Sequence, residues 1–475
     1  MSLPFHPLTR RSLIAGGGAL LASASLSGAR TTAPAIKEYK LTAATARIPL
    51  IGAPHPDTNV WAYDGRVPGP EIRVRQGERL RLAVENKLPE ETTVHSHGIR
   101  LPNSMDGVPH LTQEPIAPGE TFVYEFDCPD AGTFWYHPHT NSAAQVGRGL
   151  YGALIVEEHD KLAVDRDVVW LIDDWRLLKD AAVSQDFRNL HDITHAGRIG
   201  NTVTVNGRVI DTFAVRAGER IRLRLINAAN ARIFALSLEE HSPQVIAIDG
   251  QPVEPHAPAN GRILLGPAMR IDVLLDMTGR PGGRYSIRDD FYAGMKYNFL
   301  DLVYDDVPLR AQPLEAPLRL APNPLLEPDL AAATRQQIVL GGGMMGRMMS
   351  ATVDGREMDM RSMFRSGIAW AMNGVAAIDH VHEPMFTLER NRSYVIELIN
   401  DTAWPHPMHL HGHSFRVISR NGKAEPLRPW QDTVLILGRD WAEIAFVADN
   451  PGDWMFHCHV LEHQIAGMMG VIRVN

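Results

Sequence analysis

Histidine pairs of the form His-x-His are the residues of this chain whose type and spacing point most clearly to chemistry. Six such pairs occur among the 21 histidines, more than the composition gives by chance. Alternate side chains of a β-strand share a face, so each pair presents two imidazoles in one direction. Four pairs keep the repeat register described below: His95/His97, His137/His139, His409/His411 and His457/His459. His380/His382 stands outside that register and is expected to be a chance pair.

Four such strands facing one another would aim eight imidazoles at one place. Eight nitrogen ligands exceed what a single ion takes, so the pattern predicts a polynuclear metal site. Imidazole-rich coordination suits copper, zinc, iron or nickel.

The position of Cys458 indicates which of these metals is bound. It lies between His457 and His459, so its sulfur points to the opposite face of the same strand. Two imidazoles, one thiolate and a weak thioether form a blue-copper electron-transfer site. The remaining members of that set are available nearby in His406, His463 and Met468.

The two cysteines of the chain are not expected to form a disulfide. Cys458 serves as a metal thiolate in this interpretation, so Cys128 is predicted to be a free, buried thiol. An electron that enters the Cys458 site would cross only a few covalent bonds to the neighbouring histidines.

The elements that position these residues repeat three times. Segments 74–86, 215–227 and 388–400 each read as a turn followed by an alternating strand that ends on asparagine. Histidines stand nine and eleven residues beyond the first and third asparagine, where the middle copy has Leu236 and Leu238. We therefore expect an all-β chain of three similar domains, of which the middle one has no metal ligands.

The domain limits follow from these repeats and from proline content. We predict domains at 36–160, 161–306 and 331–475, with a proline-rich linker at 307–330. With 44% hydrophobic and 21% charged residues, the chain is globular rather than disordered. Its net charge of −8 gives no indication of a nucleic-acid partner.

Residues 1–35 have the features of an export signal. Arg10-Arg11 precedes a weakly apolar run, and small residues at 27–29 and 33–35 offer cleavage sites. The paired arginines favour a twin-arginine signal, which exports a folded protein, over an ordinary secretory one. Cleavage would change the net charge from −8 to −11. We expect a periplasmic or secreted mature protein without a membrane span.

The four histidine motifs resemble those of the multicopper oxidases. The matching segments read His-Ser-His-Gly at 95–98, His-Pro-His at 137–139, His-Pro-Met-His-Leu-His-Gly at 406–412 and His-Cys-His-Val-Leu-Glu-His at 457–463. The resemblance spans about residues 38–475 and implies three cupredoxin domains, which are Greek-key β-barrels or sandwiches. It also implies four coppers per chain, as in bacterial three-domain laccases and periplasmic cuprous oxidases.

The resemblance assigns a ligand set to each copper. The type 1 copper would be held by His406, Cys458, His463 and axial Met468, with Met469 competing for the axial position. The type 2 copper would be held by His95 and His409. The type 3 pair would be held by His97, His137, His139, His411, His457 and His459. His413 continues the alternation, but the matching positions in the family are not ligands.

Proton supply to O2 has one candidate residue. Asp106 resembles the family's carboxylate beside the cluster, although a turn aspartate before Gly107 is the alternative. Related bacterial metal oxidases often carry an acid directly after the last type 1 histidine, where this chain has Gln464. The second proton-relay group is therefore unassigned.

Eight of the 18 methionines lie between residues 344 and 372. Thioethers favour Cu(I) over harder ions, so segment 344–363 could collect Cu(I). The alternative is apolar filler in a loop, and Met372 is expected to be core. We expect Gly341–Gly343 to be too flexible for a core strand, and the segment to act as a removable cover over His463.

We therefore predict an exported multicopper oxidase that couples four one-electron oxidations to the reduction of O2 to water. Phenolic or aromatic compounds and Cu(I) are both candidate donors, and the methionines favour a role in copper tolerance. The alternatives are a non-catalytic copper carrier, a structural three-cupredoxin protein of the cell-division type, and a copper nitrite reductase.

Overall fold

The computed structural model describes residues 34–160, 162–312, 314–315, 319–378 and 383–475. The predicted signal at 1–35 lies almost wholly outside these residues, as do His380 and His382. The first region of the chain forms two four-stranded sheets, ordered β2-β1-β4-β6 and β3-β8-β7-β5. Its strands are β1 (Ile36–Ile48), β2 (Thr58–Tyr63), β3 (Ile72–Arg75), β4 (Arg79–Asn86), β5 (His95–His97), β6 (Thr121–Asp127), β7 (Gly132–His137) and β8 (Gly152–Glu157).

The middle region adds a six-stranded and a five-stranded sheet, ordered β10-β9-β12-β17-β14-β15 and β11-β19-β18-β13-β16. Its strands are β9 (Arg166–Trp175), β10 (Thr202–Val205), β11 (Thr212–Val215), β12 (Arg220–Asn227), β13 (Phe234–Leu238), β14 (Gln244–Ile248), β15 (Gln251–His256), β16 (Ile263–Leu265), β17 (Arg270–Asp276), β18 (Arg284–Asp289) and β19 (Tyr297–Tyr304).

The last region has a ten-stranded sheet, in which nine strands are ordered β22-β21-β24-β23-β20-β26-β32-β28-β29 and β30 pairs with β28. It also has a five-stranded sheet ordered β25-β34-β33-β27-β31. Its strands are β20 (Thr334–Gly342), β21 (Ser350–Val353), β22 (Arg356–Asp359), β23 (Trp370–Met372), β24 (Val375–Ala376), β25 (Phe386–Leu388), β26 (Ser393–Asn400), β27 (His406–Leu410), β28 (Phe415–Arg420), β29 (Lys423–Ala424), β30 (Trp430–Gln431), β31 (Thr433–Ile436), β32 (Trp441–Val447), β33 (Gly452–Cys458) and β34 (Met469–Val474). The α-helices are short: α1 (Ser142–Val146), α2 (Leu190–Thr194), α3 (Met360–Arg365) and α4 (Leu461–Ile465). Among the described residues, no helix is long and apolar enough to cross a membrane.

The three asparagines that define the sequence repeat make the same type of hydrogen bonds in each region. Strands β4, β12 and β26 end at Asn86, Asn227 and Asn400. Each asparagine Oδ1 accepts a hydrogen bond from the backbone N–H two residues ahead, at 2.9–3.0 Å. Each Nδ2 donates to one backbone carbonyl of the following loop and to at least one carbonyl 30 or more residues further along the chain. The all-β prediction and its threefold repeat are confirmed.

The first and last regions share one buried apolar cluster, whereas the middle region has its own. The shared cluster joins side chains such as Val94 and Leu101 to Met408 and Trp454. The middle cluster includes Leu236, which occupies a histidine position of the other two regions. The two histidine-bearing regions are thus packed together.

The methionine segment is not the flexible loop that the sequence suggested. Gly341 and Gly342 lie in β20 and pair with β23. A Cβ on Gly343 would come within 2.1 Å of the Trp370 ring, so these glycines permit close packing rather than mobility. Strands β21 and β22 and helix α3 occupy residues 350–365, and Met363 is buried in their small apolar core. Met372 is core, as predicted.

Candidate metal centre

Four strands carry the histidine pairs to one place between the first and last regions. Strand β5 pairs with β7, and the register sets His95 opposite His137. Strand β27 pairs with β33, and the register sets His409 opposite His457. All eight histidines are at least 94% buried. The imidazoles of the two regions interleave, since His95 stacks on His411 at a 4.0 Å centroid distance.

Several ring nitrogens at this centre lack a hydrogen-bond partner although they are buried. They are Nε2 of His95, His139 and His409, and Nδ1 of His459. A buried polar atom without a partner costs free energy, so native proteins rarely retain one without a reason. Metal coordination would supply the missing partner.

Other ring nitrogens face one another with bare lone pairs. His457 donates from Nδ1 to the Cys458 carbonyl at 2.9 Å, and His411 donates from Nδ1 to an Asp106 carboxylate oxygen at 2.8 Å. The remaining Nε2 atoms of His411 and His457 are then both acceptors, yet they lie 3.1 Å apart. A shared cation explains this contact, since two lone pairs repel.

Protonation of the rings is not the alternative explanation. Burial, reinforced by neighbouring imidazoles, lowers the pKa well below 6.5 for His97, His137, His139, His411, His457 and His459. Neutral imidazole is the form that binds a metal. The donor set, its burial and its charge state all fit metal ions.

A second ligand group lies on the other face of β33. The Cys458 Sγ is 3.4 Å from His406 Nδ1 and 3.7 Å from His463 Nδ1. Met468 is fully buried in the same core, whereas Met469 lines a surface cavity of about 330 Å³. The expected preference for Met468 over Met469 therefore agrees with the side that each methionine faces.

Comparison with known proteins bears on this pair of sites. Three multicopper oxidase family models match residues 48–161, 166–301 and 352–475. The chain is 30% identical to multicopper oxidase MmcO of Mycobacterium tuberculosis, over 90% of this chain and 85% of that protein.

Solved structures agree. The multi-copper oxidase from Pseudomonas thermotolerans aligns with a TM-score of 0.82 and 34% identity, covering 93% of this chain and all of the other. The enzyme from Pseudomonas parafulva aligns with a TM-score of 0.78 and 36% identity, covering 92% and 100%. The chain belongs to the multicopper oxidase family. It is an oxygen-reducing oxidase of laccase-like type whose histidine clusters bind copper.

One carboxylate of this multicopper oxidase lies where the sequence predicts. Asp106 follows the 3-10 turn Asn103–Met105 and is fully buried. Its carboxylate contacts Nδ1 of His411 at 2.8 Å and Nδ1 of His95 at 3.2 Å. His95 also donates to its backbone carbonyl at 2.7 Å. Asp106 is thus in contact with two rings of the cluster and is more than a turn residue.

A second carboxylate, Asp432, was missed by the sequence analysis. It accepts a hydrogen bond from His97 Nε2 at 3.0 Å, and its backbone carbonyl accepts one from His409 Nδ1 at 2.8 Å. The guanidinium of Arg270, in the middle region, donates two hydrogen bonds to the Asp432 carboxylate, at 2.8 and 2.5 Å. The only signal was an acid within the apolar run from Trp430 to Ile436.

Gln464 and His413 lie close to the cluster without joining it. The Gln464 amide nitrogen is 3.5 Å from His139 Nδ1, and its oxygen accepts a hydrogen bond from Ser142. His413 is buried against Phe446 and Trp454, and burial lowers its pKa to about 4. Cys128 is a free, buried thiol, as predicted.

The outer edge of His463 is covered by the middle region. His463 is fully buried, and its Nε2 donates to the backbone carbonyl of His195 at 2.7 Å. The Trp370 ring packs on its face at 4.2 Å. The methionine segment is tied to this cover at Met344, whose N–H donates to the Thr194 carbonyl.

Proposed function

We propose that the chain holds four coppers in the arrangement that the resemblance implies. The type 1 ligands are His406, Cys458, His463 and Met468. The type 2 ligands are His95 and His409, and the type 3 ligands are His97, His137, His139, His411, His457 and His459. The unpartnered ring nitrogens and the contact between His411 and His457 support this set. The cupredoxin limits are proposed at 36–160, 161–306 and 331–475, with the linker at 307–330.

When bound, copper supplies one-electron redox chemistry at the Cys458 site and reduction of O2 at the histidine cluster. The protein supplies the connection between them, since Cys458 is covalently flanked by His457 and His459. The Asp106 carboxylate, 2.8 Å from Nδ1 of His411, would hold a proton beside the cluster. Burial raises the pKa of the Cys458 thiol, which favours its protonated form without copper. Copper binds the thiolate, so the thiol would release its proton when copper binds.

We propose Cu(I) as the principal donor. Overall, four Cu(I) ions give up four electrons, and one O2 with four protons becomes two water molecules. The observation that carries this proposal is the exposure of soft ligands in the segment whose Met344 is tied to the cover of the type 1 site. Met344, Met345 and Met349 are 42%, 67% and 80% exposed. Met344 is hydrogen-bonded to Thr194, next to the residue that receives the His463 hydrogen bond.

Phenolic and aromatic donors are the second candidate. The buried His463 gives a bulky ring no direct contact with the type 1 ligand, so such a donor must pass its electron through the surface over His195. A small ion meets this constraint more easily than a substituted phenol. Oxidation of both donors is compatible with the laccase-like family.

The alternatives to a multicopper oxidase fit the site less well. A structural cupredoxin protein does not need eight converging imidazoles, and a copper nitrite reductase builds its catalytic copper between subunits. We propose a periplasmic or secreted enzyme, exported folded by its twin-arginine signal, that detoxifies Cu(I).

Oxygen uptake by the copper-loaded protein tests the donor proposal. A triple variant with leucine at Met344, Met345 and Met349 should show a raised KM for Cu(I) and an unchanged KM for a phenol. Leucine keeps the apolar bulk but removes the thioether. Met295→Leu, at an exposed methionine of the middle region, is the matched control. Equal losses with both donors would contradict a Cu(I)-collecting role.

A further inference from the structure

Two histidines of the middle region lie beside the type 1 site, since His195 contacts His463 and the His191 ring stacks on His195. The middle region has none of the proposed copper ligands. His191 and His195 are four residues apart across the last turn of α2. Side chains at this spacing share one helix face, and helical metal motifs use the same spacing. Their rings stack at a 4.3 Å centroid distance.

The His195 ring has a nitrogen available for a ligand. Its Nδ1 lies 3.0 Å from the His191 carbonyl and 2.9 Å from Thr194 Oγ1. The Thr194 hydroxyl donates its proton to the Leu190 carbonyl at 2.7 Å, so Nδ1 is the donor in both contacts. The neutral ring then keeps its lone pair on Nε2. The cluster histidines His95, His409 and His457 use the same device, since each donates from Nδ1 to a backbone carbonyl and leaves Nε2 for the metal.

The surroundings of the pair supply soft and aromatic surface. Trp404 lies 5.3 Å from the His195 ring and donates from its indole nitrogen to the Met344 carbonyl. The Met344 N–H donates to the carbonyl of Thr194, the last residue of α2 and the neighbour of His195. One exposed thioether therefore belongs to the segment tied directly to the histidine pair.

We infer that His191 and His195 form the docking site for the Cu(I) donor, and that His195 is the residue through which its electron enters. The His195 carbonyl accepts the hydrogen bond from His463 at 2.7 Å. An ion on the His195 ring is therefore joined to a type 1 ligand by one residue and one hydrogen bond. Cu(I) loses one electron there and leaves as Cu(II), and the electron passes to the type 1 site.

This inference rests on the proposed Cu(I) oxidation, and it gives the middle region a role in that reaction. Imidazole accepts both Cu(I) and Cu(II), while a thioether favours Cu(I). A site with both ligand types can capture the reduced ion and release the oxidised one.

Silver(I) binding to the copper-loaded, oxidised protein tests the site without turnover, because Ag(I) resembles Cu(I) in size class and softness but gives up no electron here. Calorimetric titration should show that a His191→Ala/His195→Ala variant binds Ag(I) about tenfold more weakly. The KM for Cu(I) should rise by a similar factor, while the blue absorption stays unchanged because no type 1 ligand is altered. Both substitutions keep the His195 carbonyl.

Two controls make the outcome decisive. His55→Ala removes an exposed histidine of the first region and should leave Ag(I) binding unchanged. His191→Ala alone, at an exposed position, should weaken binding even if the double variant folds poorly. Unchanged Ag(I) affinity and unchanged Cu(I) KM in His191→Ala and in the His191→Ala/His195→Ala variant would overturn the docking site while leaving Cu(I) oxidation intact. A wild-type protein that consumes no O2 with Cu(I) would instead overturn the proposed function and, with it, the entry role of His195.

Discussion

Two buried carboxylates flank the histidine cluster in nearly the same way. Asp106 contacts the stacked pair His95 and His411, and Asp432 contacts the stacked pair His97 and His409. Each stacked pair takes one ring from the first region and one from the last. By the proposed ligand set, each carboxylate therefore contacts one type 2 and one type 3 histidine.

The two carboxylates differ in whether a cationic side chain pairs with them. Asp432 is clamped by the fully buried Arg270. Burial alone would raise the pKa of Asp432, but the Arg270 guanidinium and the His409 ring outweigh it and hold that pKa well below its usual range. Among the described residues, Asp106 has no Lys or Arg within ion-pair distance, and its Oδ1 has no hydrogen-bond partner.

The difference assigns two separate roles. A carboxylate fixed as an anion orients its histidines and balances charge, but it cannot carry a proton. A carboxylate without a cation partner can take up and release one. We therefore propose Asp106 as the proton relay and Asp432 as a positioning residue.

The largest expected effect comes from Asp106→Asn. O2 reduction should slow by about 10²–10⁴-fold, the usual contribution of a general acid–base group. Anaerobic bleaching of the blue absorption by a donor should keep its wild-type rate, since the type 1 site is untouched. Stopped-flow absorption measures both steps. Wild-type rates in both would leave Asp106 without a relay role.

The Arg270–Asp432 pair should dominate stability rather than proton transfer. Arg270→Met leaves Asp432 as an uncompensated buried charge, which costs about 3–5 kcal/mol of unfolding free energy. Denaturant unfolding of Arg270→Met, Asp432→Asn and the double variant measures the coupling. The double variant should recover part of the loss, whereas Asp106→Asn should lose much less than either single variant. Additive losses in the double variant would contradict a direct pairing.

Copper retention tests the positioning role of Asp432. Loss of a group that orients a ligating histidine typically lowers metal affinity by about 10–100-fold. Competition with a chelator should therefore strip copper from Asp432→Asn faster than from the wild type. If Asp432→Asn keeps its copper as tightly as the wild type, the positioning role is wrong.

The smallest effect is expected from Gln464→Glu. The Gln464 amide lies 3.5 Å from His139 Nδ1 and cannot relay a proton by ionising. A glutamate there adds a second proton group, so it should partly restore O2 reduction in the Asp106→Asn background and change the wild-type rate little. Steady-state O2 uptake of the four proteins measures this. No recovery would show that the Gln464 side does not supply the cluster with protons.

Much of the cluster could be predicted because it is encoded by strand periodicity. The His-x-His spacing and the asparagine repeat are local patterns, and they predicted which strands would meet and which face would carry the imidazoles. Asp106 was found only through a motif beside a histidine strand.

The contacts that were missed come from residues distant in sequence. Arg270 and Asp432 are 162 positions apart, and His195 meets His463 across 268 positions. No periodicity links such residues, because the packing of separate regions brings them together. The methionine segment was misjudged for a similar reason, since β20 and Trp370 give its glycines a packing role that composition does not reveal.

Copper content and colour of the wild type and of Cys458→Ser test the central claim most directly. The account predicts four coppers per chain and intense blue absorption in the wild type. Cys458→Ser should fold, keep three coppers in the histidine cluster, and lose both the blue absorption and the oxidase activity. A Cys458→Ser protein that is still blue would contradict the assignment of the type 1 site on which the account rests.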